Sequence, residues 1–137
     1  RNLNNLGGLA RQMPVIVVVF SIAGLASLGL PGTSGFAAEF ITFVGCFSST
    51  AFSGIQIYTL LGVFGVVFTA GYILWMLQKV FYGPPQDKFN GVPDADIVEK
   101  ICIFCFVAAI FVVGIYPAIL TDIIKQGIEP LMKIIGM

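Results

Sequence analysis

One carboxylate stands out in this sequence by its isolation. Glu39 is the sole charged side chain between Arg11 and Lys79, and it follows closely on the helix breakers Pro31, Gly32 and Gly35, which are interleaved with Thr33 and Ser34. An acid placed deep among apolar residues marks an ion or proton route by default, because its desolvation must be offset by a use. The chemistry open to Glu39 is to take a proton on one side and release it on the other. Unpaired N–H groups at the start of the helix after the break favour its charged form. Apolar surroundings favour its neutral form. Thr33 and Ser34 either bond backbone groups freed by the break or hold water there, and Gly32 and Gly35 are expected to supply its backbone angles. The competing view is a carboxylate held permanently by a Lys or Arg of another helix.

The remaining chemistry-bearing residues support no second centre. Cys102 and Cys105 form a C-x-x-C pair, and Cys46 lies in a separate apolar stretch. Structural zinc and iron–sulfur clusters take four ligands, and the chain has no His to complete a set. The expectation is therefore no metal and no cofactor, with the thiols serving as small apolar side chains on a buried helix face. Asp96 and Glu99 have the spacing of a capping box, which makes Glu99 and Lys100 helix-end residues. Lys79 sits where its stem reaches a membrane interface.

The elements that must position Glu39 follow from composition. The chain is 58% hydrophobic and only 10% charged, with a mean hydropathy of +0.99. Soluble domains carry about 25% charged residues, so an all-α integral membrane protein is expected. Residues 12–38, 40–78 and 101–121 hold no Asp, Glu, Lys or Arg. A crossing helix needs about 20 apolar residues.

The first run poses a length problem. If the break were a surface hairpin, residues 36–47 would cross the bilayer alone, yet about 12 residues reach only roughly 18 Å. The resolution is one discontinuous transmembrane helix over 14–47, non-helical from Leu30 to Gly35, with halves 14–30 and 36–47. Such a break is tolerated only inside protein or beside a watery cavity.

Two further spans are expected at 55–81 and 97–116, giving three transmembrane helices. They are joined by a turn-rich loop at 82–96, and residues 1–13 form a polar connecting segment. Residues 118–137 read as an amphipathic tail broken by Gly127 and Pro130, with Asp122, Lys125, Glu129 and Lys133 spaced as an ion-pair ladder. Arg1, Arg11, Lys79, Lys88 and Lys100 fall on one side of this arrangement, which the positive-inside rule makes cytoplasmic. The C-terminus then lies outside. Zero net charge gives no basic patch for nucleic acid. The chain starts at Arg1 with no signal-peptide pattern and reads as a piece of a longer polypeptide, packed on helices it lacks.

The stretches "LGGLARQMP", "ASLGLPGTSGFAAEF", "YILWMLQKVFYGP" and "GIYP" together resemble the C-terminal part of the antiporter-like membrane subunits M of bacterial NADH:quinone oxidoreductase, respiratory complex I. The resemblance implies a fourteen-helix subunit of which this chain supplies the last three, the first discontinuous. It implies proton translocation across a bacterial inner membrane, driven by quinone reduction elsewhere in the complex. Glu39 matches the acid of the family's broken twelfth helix, on the proton route toward the outside. A Glu on the fifth helix and lysines on the seventh and eighth have no counterpart here, so this segment is not expected to pump alone. FMN, iron–sulfur clusters and quinone would sit on other subunits, and the partners would be neighbouring antiporter-like subunits and lipid. Multisubunit cation/proton antiporters, membrane-bound hydrogenases and photosynthetic complex I are the close alternatives. A purely structural anchor leaves Glu39 beside a helix break without a reason.

Overall fold

The computed structural model describes residues 6–50 and 52–135, and every regular element among them is helical. The main helices are α1 (Pro14–Ser27), α2 (Ser34–Ser48), α3 (Ile55–Val80), α4 (Ile97–Ile115) and α5 (Ala118–Ile135). By length and hydropathy α3 and α4 are long enough to cross a membrane, whereas α1 and α2 are shorter apolar helices.

Contacts along α3 show how the short helices are stacked. Phe20 of α1 packs on Phe81, just beyond the end of α3, with ring centroids 5.1 Å apart. One turn further along α1, Gly24 faces Ile73 and Leu77, and Gly62 near the start of α3 faces Phe43 of α2. The two short helices therefore lie end to end and antiparallel to a single α3. On their other side runs α4, parallel to them. Asp94, just before α4, meets the start of α1, and Gly114, near its end, meets Gly32 and Thr33. α3 and α4 share at most marginal contact, which leaves the stacked pair in the middle of a layer.

The start of α1 illustrates how the loop contributes. Pro14 occupies the first helical position, where its missing N–H leaves nothing unpaired. Met13 before it makes no side-chain cap. Instead Asp94 accepts hydrogen bonds from the Val15 and Ile16 N–H groups, at 2.9 and 3.3 Å, and Val17 N–H reaches the Met13 carbonyl at 3.0 Å. All four N-terminal positions are thus accounted for.

The core is small and lies at one end. It comprises Leu9, Val17, Ile73, Leu77 and Phe81, and the Ala10 N–H donates to the Phe81 carbonyl at 3.1 Å. Residues 6–13 are therefore more than a polar connector: a short helical turn at Leu9–Arg11 buries Leu9. Elsewhere the apolar side chains face outward. Phe68 is 77% exposed and Phe104 72%, and α4 buries no residue at all. Helices this apolar and this bare belong in lipid or against other membrane helices. The chain is a membrane segment. Cys46, Cys102 and Cys105 share that outward surface, which corrects the expectation of a buried face.

The tail differs from expectation in two ways. It is one helix through Pro130 rather than two pieces. Proline removes a bond to the carbonyl four residues back, here Gln126, on an exposed stretch where water can replace it. Among the described residues, none of Asp122, Lys125, Glu129 and Lys133 closes an ion pair.

Candidate functional site

The interruption between α1 and α2 is two local motifs in succession. The Gly29 N–H bonds to the Ala26 carbonyl and the Leu30 N–H reaches back to Leu25, both at 3.2 Å. This pair of bonds, with Gly29 at φ +70°, is a Schellman cap, which closes a helix by pairing its last carbonyls. Pro31 follows and cannot continue the helix. Next comes a tight turn over Leu30, Pro31, Gly32 and Thr33, closed by the Thr33 N–H on the Leu30 carbonyl at 3.0 Å. Pro at its second position and Gly32 at φ +91° in its third make it type II.

The non-helical stretch therefore runs from Leu28 to Thr33. The sequence alone points to a stretch from Leu30 to Gly35. Ser34 and Gly35 are already the first residues of α2. Gly35 has an ordinary helical role for its backbone and a steric one for its missing side chain, since a Cβ there would collide with the Ala26 carbonyl oxygen. The second positive φ belongs to Gly29 instead. The shift arises because helix closure uses a left-handed residue one place beyond the last turn, and Gly29, two residues ahead of Pro31, supplies it.

Thr33 holds this turn in place. It is only 1% exposed, and its hydroxyl donates to the Leu30 carbonyl at 2.6 Å. Its own carbonyl accepts the Ala37 N–H at 3.2 Å and so starts α2. Behind it stands Gly114, where a Cβ would run into the backbone of Gly32 and Thr33. The Thr33 side of the turn is thus buried against α4, while Leu30 and Pro31 stay exposed.

Glu39 lies in the second turn of α2 rather than the first, beyond the short reach of the helix-end dipole. Its carboxylate nevertheless returns to the break. Helical side chains lean toward the N-terminus, and a Cβ built on Gly29 would stand 2.6 Å from Oε2 of Glu39. The carboxylate also lines a groove of about 590 Å³ between α2 and α3, together with Leu28, Phe36, Phe40, Phe43 and Val63. Glu39 is the one charged residue among those that line it. No hydrogen bond or ion pair to Glu39 occurs among the described residues. An acid at the wall of an apolar groove, beside interrupted backbone, is suited to exchanging a proton with whatever enters that groove.

The other singled-out residues serve the scaffold. Asp96 and Glu99 form the capping box of α4, with the Asp96 N–H on Glu99 Oε2 at 2.9 Å. Lys79 lies over the Trp75 ring at 4.6 Å. Among the described residues no group of three His, Cys, Asp or Glu side chains could hold a metal.

Sequence reasoning missed Asp94, Gly29 and Gly114. Burial of Asp94 works against its charge, but N–H groups of Val15, Ala95 and Ile16 and the positive charge of Lys100 outweigh it, holding the carboxyl below its ordinary 3.8. No local pattern announces a cap supplied from so far along the chain. Gly29 did carry a signal, because Gly followed by Pro two residues on is a helix stop.

Comparison with known proteins places these features in a family. The profile described as "NADH:quinone oxidoreductase/Mrp antiporter, TM" matches residues 1–69. The chain is 42% identical over 127 residues to NAD(P)H-quinone oxidoreductase chain 4, chloroplastic, of Mesostigma viride, covering 88% of this chain and 25% of that one. It is 32% identical over 137 residues to NADH-quinone oxidoreductase subunit M of Rhodobacter capsulatus, covering 97% of this chain and 25% of that one. Respiratory complex I from Thermus thermophilus with bound NADH contains a chain of similar structure, with TM-score 0.77 and 28% identity over 95% of this chain and 25% of that one. The chain thus spans about a quarter of the length of the curated relatives it matches. It belongs to the NADH:quinone oxidoreductase/Mrp antiporter transmembrane family.

Proposed function

We propose that this chain is part of a proton-translocating membrane subunit of an NADH:quinone oxidoreductase and that Glu39 is a proton relay within it. In this reading α1 and α2 make one discontinuous membrane span, and α3 and α4 make two more, as the last three helices of a fourteen-helix subunit. Electrons pass from the donor to quinone on other subunits, which carry FMN and iron–sulfur clusters. This chain holds no redox site and contributes to moving the proton.

The observation that carries the reading is the placement of Glu39. A lone carboxylate returns to Gly29, at the cap that ends the first of two stacked apolar helices, on the wall of an apolar groove between α2 and α3. Similarity across donor classes supports it. Relatives are named for NADH, for NAD(P)H and, in Methanosarcina mazei, for F(420)H(2). What such proteins share with this segment serves coupling better than donor recognition. Partners would be adjacent antiporter-like subunits and lipid, in a bacterial inner membrane with residues 82–96 cytoplasmic and the C-terminus outside. α5 would tether the subunit to a neighbour.

The test is Glu39→Gln in the full-length subunit, assayed in complexes shown to be fully assembled. Removing a group that carries the proton should slow coupled turnover by about 10²-fold or more, with Glu39→Asp retaining more than Glu39→Gln. Normal proton stoichiometry and rate in assembled Glu39→Gln complex would make Glu39 a structural charge. A cation/proton exchanger without redox partners would instead show exchange in vesicles holding this subunit's own complex and no quinone reductase activity.

A further inference from the structure

We infer that Gly29 is a positioning residue for Glu39: its missing side chain is the seat of the carboxylate. The inference rests on the relay reading above and deepens it.

Two facts meet at Gly29. Its φ of +70° is required by the cap that ends α1, so an L side chain is strained there. Independently, a Cβ on Gly29 would stand 2.6 Å from Oε2 and 3.4 Å from Cδ of Glu39. Any side chain there would displace the carboxylate from its place beside Gly29. Gly32 has the first property without the second. Its φ is +91°, yet a Cβ there meets nothing within 4 Å. The pair separates backbone strain from displacement of the acid.

Gly29→Ala and Gly32→Ala are compared in the full-length subunit within the assembled complex, alone and combined with Glu39→Asp. Proton pumping, quinone reduction and their pH profiles are read per assembled complex. Gly29→Ala should reduce coupled turnover by about 10- to 100-fold, the effect of an ångström-scale misplacement, and should shift the pH profile. Gly32→Ala should keep the parent profile. Glu39→Asp withdraws the carboxylate by one methylene, so it should raise turnover in the Gly29→Ala background while lowering it in the parent. That reversal of sign is what a purely structural role for Gly29 does not produce.

Should Gly29→Ala fail to assemble, the readout becomes assembly itself: Gly29→Ala combined with Glu39→Ala, which removes the obstructed carboxylate, should restore it. Equal behaviour of Gly29→Ala and Gly32→Ala, or no rescue by shortening or removing the Glu39 side chain, overturns the positioning role. The relay reading fails separately, through normal pumping by Glu39→Gln.

Discussion

Thr33 gives both its N–H and its hydroxyl to the Leu30 carbonyl, and almost none of its surface is exposed. Ser34 next to it takes no such part, so two adjacent hydroxyl residues have different duties. Thr33→Val keeps the shape and loses the hydroxyl bond, which should cost about 0.5–1.5 kcal/mol. The loss would be read as a lower melting temperature of the assembled complex. Thr33→Ser should retain the bond and stay closer to the parent. Equal destabilisation by both would mean that the methyl group, and not the hydroxyl, holds the turn. At Glu39 charge and position have separate origins. The acid is set by its own residue, while its location depends on what Gly29 lacks.

Between elements, the turn is held by α4 at one level and α1 is held by the loop at another. Gly114→Leu should force α4 away from the Gly32–Thr33 backbone and destabilise by about 1–3 kcal/mol, as overpacking does, with Gly114→Ala milder. Limited proteolysis and complex yield would record it. A Leu variant as stable as the parent would place α4 elsewhere. Asp94 predicts a pH dependence of definite sign. Its carboxyl is held below 3.8 in the folded chain, where desolvation is outweighed by the N–H bonds at the start of α1. Its stabilisation is therefore fully present above about pH 3.8 and fades as pH falls through the lower folded value. Hydrogen exchange at Val15 and Ile16 should speed up in Asp94→Ala at neutral pH. In the parent the same acceleration should appear only in acid. Unchanged exchange in Asp94→Ala would remove Asp94 as the cap.

The molecule as a whole presents its apolar surface outward and keeps only a small core at one end. α5 is amphipathic, with Lys125 and Lys133 exposed and Ile123, Ile124 and Leu131 also uncovered. An element so bare within this chain gains its stability from what it rests on. Deleting residues 118–137 from the full-length subunit should reduce the amount of assembled complex and leave pumping per assembled complex nearly intact. Blue-native electrophoresis with a pumping assay separates the two. Normal assembly with abolished pumping would give α5 a part in coupling instead of tethering.

Hydropathy and charge, which act locally and sum along the chain, make the helical, membrane-bound character legible from the residues alone. The sequence also marks Glu39 and the Pro31–Gly32 interruption, since breakers act on their own backbone and a lone acid is conspicuous among apolar residues. The capping box at Asp96 and Glu99 was legible for the same reason: its partners are three residues apart. What the sequence left open depends on contacts between distant residues. Only the folded chain brings Asp94 to Val15, sets Gly114 against Thr33 and returns the Glu39 carboxylate to Gly29. The exact start of the break was decided by hydrogen bonding at the end of α1, where Gly29 closes the helix before Pro31 can. Periodicity says little there, because the end of α1 mixes apolar, small and hydroxyl residues without a polar face. Which carbonyl is paired, and which side chain must be absent, are properties of the packed backbone.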